Sequence, residues 1–462
     1  MTTAGPDLVI RGGTVVTDSW SGAATVTVAG GRITGVLDPA TEVDGAEVLD
    51  ATGLLVMPGG VDPHCHVAVP LGEFVTLDSL ESASLAALAG GTTTIIDFAI
   101  PATGEGSITA LDAKLAMAKE SRCDYAFHGC INAPGPDIAD VVRRYVEAGV
   151  RKVKLFTTYR GLLMVEIDTI EQVMRALNDV SGLTYVHAES NQLVEAAQAE
   201  AESAGRIGAA GMARTRPEAA EARAVQEVLG AAERTGAPVY FVHQTIPAAV
   251  DEVIAARQRG VRAFSESCPH YLVLDESCYA GEHPERYVCC PPIRSRAAVD
   301  VLGDRLAKGY VHTVGSDHCC YDTGQKELRA HDVRAMPNGL PGVETRLSVV
   351  WDAYVASGRI SPERFVAVMA AGPARLNGLY PRKGAVAPGA DADLVLFDPA
   401  ATRVVRTGEL HMETDYTPYE GREVTGWPRT VLARGRVVVR DGELTDPGPV
   451  GRFLPADPID LT

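Results

Sequence analysis

Two histidines stand two positions apart in the run Asp62-Pro-His-Cys-His66. In an extended strand residues i and i+2 project to the same side, so the imidazoles of His64 and His66 address one point while Cys65 faces away. Such a pair can bind one metal ion, although ordinary hydrogen bonds would satisfy the same two rings. Lys154 lies in the apolar run Val-Lys-Leu-Phe, where an ammonium is costly to bury unless it is paired, deprotonated or modified. An ion pair with Asp or Glu is one solution. Reaction of the neutral amine with carbon dioxide is another, because the resulting carbamate has two oxygens able to bridge two metals. Lys152, beside it, is expected to reach solvent. His187 in TYVHAES and His243 in YFVHQT each close a short apolar segment, and Asp317 closes HTVGSDH.

Imidazole nitrogens combined with a carboxylate suit zinc, with manganese, iron or cobalt able to use the same ligands. Two such ions ~3.5–4 Å apart would polarise a carbonyl and bring the pKa of a bound water toward ~7, which is the chemistry of amide hydrolysis at neutral pH. Asp317 could add general-base work, taking the proton of the attacking water and passing it to the leaving nitrogen. His128, His270, His312 and His318 are further candidates to line such a site. The chain has no Gly-x-Gly-x-x-Gly after a strand, no phosphate-binding loop with Lys-Ser/Thr and no Gly-x-Ser-x-Gly elbow.

Side chains so far apart in sequence need a scaffold that gathers them. Eight apolar segments read as strands: VMPGGVDPHCH, TTTIIDFAI, DYAFHGCI, VRKVKLFTT, LTYVHAE, PVYFVHQT, RAFSESCPHY and VHTVGSDH. Helix-like stretches such as SLESASLAALAG and EAAEARAVQEVLGAAER separate them, with apolar residues three and four apart. This alternation predicts an α/β protein with a closed (β/α)8 TIM barrel, whose active site forms where the carboxyl ends of the strands converge. The six candidate ligands all fall at such strand ends. Short strands and Gly-rich turns occupy both chain ends, as in DLVIRGGTVV and RTVLARGRVVVRDGEL. They predict one small β-sandwich built from residues 1–55 and 379–462, around a catalytic barrel over 56–378.

The 462 residues are enough for one large and one small domain, and their 46% hydrophobic and 22% charged content is that of a folded globular protein. Lys and Arg number 42 against 60 Asp and Glu, a net charge of −18 with no segregated basic patch. Polyphosphate and anionic lipid would be repelled, so nucleic acid and membrane partners are not expected. No apolar run approaches the ~20 residues of a membrane helix, and MTTAGPDLVIRGG lacks the features of a signal peptide. Nine cysteines without a repeating framework, two pairs of them adjacent, fit reduced thiols and a cytoplasmic location.

The segments MPGGVDPHCH, AGGTTTIIDFAIP, VKLFTTYRG, YVHAES, SCPHYL, CPPIR, GSDHCCYDTGQK, MPNGLPGVETR and DYTPYEGREVTGWP together resemble the cyclic amidohydrolases, and within them the dihydropyrimidinase and hydantoinase group. The resemblance implies that His64, His66 and Asp317 hold one metal and that His187 and His243 hold the other. Lys154, carboxylated, would bridge them. It further implies that Tyr159 hydrogen-bonds the developing oxyanion and that backbone groups of Cys290 and Asn338 read the amide edge of a cyclic ureide. A homotetramer, or a homodimer, is also implied. Members acting on dihydroorotate tend to carry an arginine just after His-x-His, whereas Val67-Ala68-Val69-Pro70 follows here. Allantoinases usually lack the tyrosine present at 159, so a dihydropyrimidine or hydantoin ring is expected ahead of allantoin or another cyclic amide. Three positions depart from the common pattern: Ser190 where asparagine is frequent, Met212 for histidine and Cys290 for serine. The collapsin response mediator proteins share this fold without its metal ligands; retention of all six positions argues against such a non-catalytic scaffold.

Overall fold

Eight parallel strands form the centre of the protein in a computed structural model that describes residues 5–43, 47–133, 135, 137–445 and 447–461. They are β1 (Gly60–Cys65), β2 (Thr92–Ala99), β3 (Asp124–Cys130), β4 (Lys152–Phe156), β5 (Leu183–His187), β6 (Val239–Phe241), β7 (Ala263–Ser267) and β8 (Thr313–Val314). Every residue of these strands is buried. That accounts for their near-continuous apolar character, since crossover helices cover the outer face of a parallel sheet. Each strand pairs with its sequence neighbour, and all eight predicted strands are present. The ring closes just beyond β8, where Cys65 and His318 form a parallel bridge and the His66 amide donates to the His318 carbonyl at 2.7 Å. The last strand is short because the chain turns out of the sheet at Asp317, whose φ is +49°.

The helix Ile138–Glu147 shows how the outer layer forms. Asp137 caps it by accepting from the Asp140 amide at 2.8 Å, and Ile138, Val142 and Tyr145 recur at spacings of four and three to make its buried stripe. Each such side chain contributes roughly 1.5–3 kcal/mol by leaving water. A charge at Val142 would break this seam.

Two further sheets form the β-sandwich. One holds Leu8–Arg11, Thr25–Ala29, Arg32–Leu37 and Glu47–Asp50. The other combines segments from both chain ends: Leu55–Pro58 lies between Thr14–Val16 and Leu394–Val404, which pairs onward with Glu423–Ala433 and Arg436–Arg440. Apolar residues of the two sheets, among them Ile10, Val26, Ile33, Val56, Leu394 and Leu432, share one core. A buried ionic cluster ties the sandwich to the barrel: Lys383 reaches Asp124 at 2.6 Å on β3 and Asp391 at 3.0 Å, and it also pairs with Asp393. The C-terminal segment then crosses beneath the barrel, with Leu454 donating to Tyr125, Ala456 to Gly149 and Ile459 to Ser181 at the amino ends of β3, β4 and β5.

Candidate metal centre

The carboxyl ends of the barrel strands bring the predicted ligands to one place. His64 lies within β1 and His66 just past it, Lys154 is central in β4, and His187 ends β5. His243 follows β6 by two residues and Asp317 follows β8 by three. Tyr159, three residues beyond β4, has φ +69°, His243 has +38° and Asp317 has +49°. For non-glycine residues this left-handed backbone costs of order 1–3 kcal/mol each and persists only where the surroundings enforce it. Three strained positions in one cluster single out this end of the barrel.

Nε2 of His64 lies 3.2 Å from Nε2 of His66, and Oδ1 of Asp317 lies 3.1 and 3.3 Å from those two nitrogens. A tetrahedral ion with bonds of ~2.0–2.1 Å sets its ligand atoms ~3.3 Å apart. These three atoms therefore already form one face of a suitable coordination shell. One ligand atom each from His64, His243 and Asp317 lie within 4.8 Å of one another. The rings of His187 and His243 meet edge to face at 4.5 Å. Burial holds the imidazoles of His66 and His243 below their usual range and brings His187 down to about 4. Burial acts to raise Asp317, but His64, His66 and His243 outweigh it and keep the carboxyl well below its usual range. Imidazoles with a reduced hold on their protons and a carboxyl that ionises readily both favour a metal ion over protons at these ligand atoms.

Lys154 is 1% exposed, and its ammonium lies 5.0 Å from the ring centres of both Phe98 and Phe156. No carboxylate lies within ion-pair distance of it among the described residues, so the ion-pair solution open at the level of sequence is not adopted. Burial, opposed by Asp317 and Glu266, pushes its pKa down to about 8. Lys152 departs from expectation: it is fully buried rather than solvated, one layer below Lys154, with its ammonium 3.4 Å from the Asn377 carbonyl. It points inward because residues i and i+2 of β4 share a face.

Sequence reasoning missed the residues that hold these ligands in place. Glu266 on β7 is fully buried; it contacts His64 Nδ1 at 2.6 Å, accepts from the His243 amide at 3.0 Å and from the Tyr240 hydroxyl at 2.6 Å. It thereby fixes the His64 ring so that Nε2 faces the centre. Glu189 does the same for His187, at 2.7 Å from Nε2, which leaves Nδ1 available as the ligating atom. Arg216 clasps Glu189 through Nη2 at 2.6 Å and Nε at 3.0 Å, and its guanidinium stacks over the Tyr159 ring at 4.9 Å. The pairing of Glu189 with His187 was signalled by their spacing of two; nothing near Arg216 signals its role.

Tyr159 is a protonated donor, because burial raises its hydroxyl well above the usual range despite the opposing charge of Arg216. Cys290 and Asn338 come together on two loops, the Cys290 thiol donating to Asn338 Oδ1 at 3.2 Å. Of the other histidines, His270 comes near Asp317, whereas His128 bonds the Pro63 carbonyl, His312 accepts from the Ser265 amide and His318 pairs with Asp78.

Residues 55–438 match the model of the amidohydrolase family. A D-hydantoinase of Geobacillus stearothermophilus is 37% identical over 451 residues, covering 96% of each chain. A Caenorhabditis briggsae protein named dihydropyrimidinase 2 is 36% identical, covering 98% of this chain and 88% of its own. The crystal structure of dihydropyrimidinase from Brevibacillus agri superimposes with a TM-score of 0.94 at 34% identity, covering 98% of this chain and 99% of that one.

Proposed function

The chain belongs to the amidohydrolase family, and from that premise we propose that it is a binuclear-metal hydrolase opening the ring amide of a dihydropyrimidine or a 5-substituted hydantoin. The observation that carries the reading is the convergence of His64, His66 and Asp317 at 3.1–3.3 Å, beside His187, His243 and a buried, unpaired Lys154. Full-length relatives named D-hydantoinase and dihydropyrimidinase give the substrate class.

His64, His66 and Asp317 would hold one ion, His187 and His243 the other. Lys154 would bridge the two after its neutral amine adds to carbon dioxide and loses a proton to become a carbamate. Zinc suits this donor set best, with manganese, iron and cobalt as alternatives. When bound, the ions would polarise the ring carbonyl and make a water available as a nucleophile near neutral pH. Asp317 accepts a proton from the attacking water and returns it to the departing ring nitrogen. The carbonyl carbon thus gains oxygen, the nitrogen gains hydrogen, and the product is an N-carbamoyl amino acid. The Tyr159 hydroxyl donates to the oxygen that accumulates charge, a role for which the left-handed backbone and Arg216 hold it ready. Backbone groups of Cys290 and Asn338 would take the amide edge of the ring. Val69 clusters with Phe98, Ile100 and Phe156, with Tyr159 and Leu163 packed against them. This apolar cluster, whose Phe98 ring stacks on His66 at 5.0 Å, supports an uncharged ring over an acidic one.

In this reading the catalytic unit is residues 56–378, flanked by a sandwich from 1–55 and 379–462, and the protein works as a cytoplasmic homotetramer. No helix among the described residues is long and apolar enough to cross a membrane. The test is turnover of dihydrouracil, hydantoin, a 5-substituted hydantoin, allantoin and dihydroorotate by metal-analysed protein. Preference for the first three supports the proposal; preference for allantoin or dihydroorotate, or inertness of metal-loaded protein on all five, rejects it.

A further inference from the structure

Lys326 is fully buried, and no carboxylate lies within ion-pair distance of it among the described residues. Its ammonium donates instead to three backbone carbonyls: Val288 at 2.8 Å, Pro337 at 3.0 Å and Gly339 at 2.7 Å. An ammonium held by carbonyl dipoles and the face of the Tyr321 ring, 5.5 Å from its centre, with no counter-ion, is an expensive way to fill a core position. The location of the three acceptors gives it a purpose. Val288 precedes Cys290 by two residues, and Pro337 and Gly339 flank Asn338.

The two loops meet around this contact. The Gly339 amide donates to the Val288 carbonyl at 3.1 Å, and the thiol of Cys290 reaches Asn338 at 3.2 Å. Gly339 has φ +143°, and a β-carbon there would lie 2.5 Å from that of Cys319, so the backbone has little room to shift. Lys326 is carried by the short helix Thr323–Glu327, where Asp322 and Gln325 cap each other's amides at 2.6 and 3.1 Å. This helix begins six residues after Asp317, so one stretch of chain connects a candidate metal ligand to the fastener of the two loops.

We propose that Lys326 is a positioning residue that sets the spacing between the Cys290 and Asn338 backbones and thereby tunes how the ring's amide edge is gripped. The inference rests on the function proposed above. Its signature is a change in substrate grip and ring-size selectivity, with the metal ligands untouched. Lys326→Met removes all three donors and keeps an unbranched side chain one atom shorter. KM for dihydrouracil should rise about tenfold, the effect of misaligning one to two hydrogen bonds, with a smaller fall in kcat. The kcat/KM ratio between dihydrouracil and hydantoin should shift as well, because rings of six and five atoms meet the displaced backbones differently. Lys326→Gln, which keeps two donors, should fall between Met and wild type.

Steady-state kinetics on both rings, with metal content and thermal melting measured for each variant, decide the matter. Folded, metal-loaded variants with wild-type KM and selectivity overturn the proposal. So does failure of both variants to fold, which would assign Lys326 to stability alone. If wild-type protein opens neither ring, the functional reading itself fails and this proposal falls with it, an outcome distinct from an active wild type with silent variants.

Discussion

Replacing Glu189 with Gln removes one charge at nearly constant volume from the junction between the candidate metal centre and Arg216. Glu189 is fully buried, and its carboxyl is held well below the usual range: burial opposes ionisation, but Arg216 and His187 outweigh it. In the carboxylate Oε2 serves both His187 Nε2 at 2.7 Å and Arg216 Nη2 at 2.6 Å, and both oxygens meet Arg216 Nε at 3.0 Å; the amide of Gln keeps one oxygen only and carries no charge. Arg216, whose side chain is 5% exposed, is left as a buried charge without a counter-ion. Breaking a buried pair from one side costs ~3–5 kcal/mol, which should lower the urea midpoint of metal-free protein visibly. The His187 ring is also left with a neutral, weaker acceptor to fix its tautomer, so metal affinity by chelator competition should fall ~10–100-fold. The two effects separate in the double variant Glu189→Gln/Arg216→Met. Removing the stranded charge should recover much of the stability, while metal affinity stays weak. A Glu189→Gln protein with wild-type midpoint and wild-type affinity would refute this account of the support shell, as would a double variant that regains full metal affinity.

Tyr159→Phe keeps the ring under Arg216 and deletes only the hydroxyl, so kcat should drop ~10²–10³-fold with metal content unchanged; turnover close to wild type in a stopped assay would deny the hydroxyl its role. Lys383→Met removes the cation shared by three carboxylates at the junction of barrel and sandwich; Asp124 keeps Arg434 and Asp391 keeps Arg382, but Asp393 loses its cation, and chemical denaturation should register a loss of ~3–5 kcal/mol. Glu221 is buried beside Arg294 and Thr245, and burial raises its carboxyl from 4.5 to about 7. A raised carboxyl binds its proton more tightly when folded, so its contribution is greatest below pH 4.5 and is lost as pH climbs to about 7. Relative to Glu221→Gln, wild-type protein should therefore lose ~3 kcal/mol across that window, read by urea unfolding at successive pH values; a pH-independent difference between the two would contradict the assignment.

The barrel was legible because each of its strands is an apolar run bounded by helical periodicity, and even β8, only two residues long, is announced by HTVGSDH. The candidate ligands were legible for a related reason. A charged or ligating side chain at the end of an apolar strand stands out against its neighbours. Glu266 and Lys326 gave no such sign, since Ser-Glu-Ser and Gln-Lys-Glu read as ordinary polar sequence. Their meaning comes from partners far away in the chain, His64 for one and the carbonyls beside Asn338 for the other. Lys152 was misread because a lysine that follows Arg151 suggests a solvated end of the strand, whereas it stands two residues before Lys154 and points into the barrel with it. Lys154 was ambiguous for a physical reason too: burial, pairing and modification all make a lysine in an apolar strand tolerable, and only three-dimensional neighbours tell them apart.

The central claim is that two divalent ions sit among these six side chains, bridged through Lys154. Metal analysis of purified Lys154→Ala beside wild-type protein tests it most directly. The account predicts close to two ions per chain in wild type and loss of most of that metal, together with ring-opening activity, in the variant. Full metal retention and wild-type turnover by Lys154→Ala would contradict it.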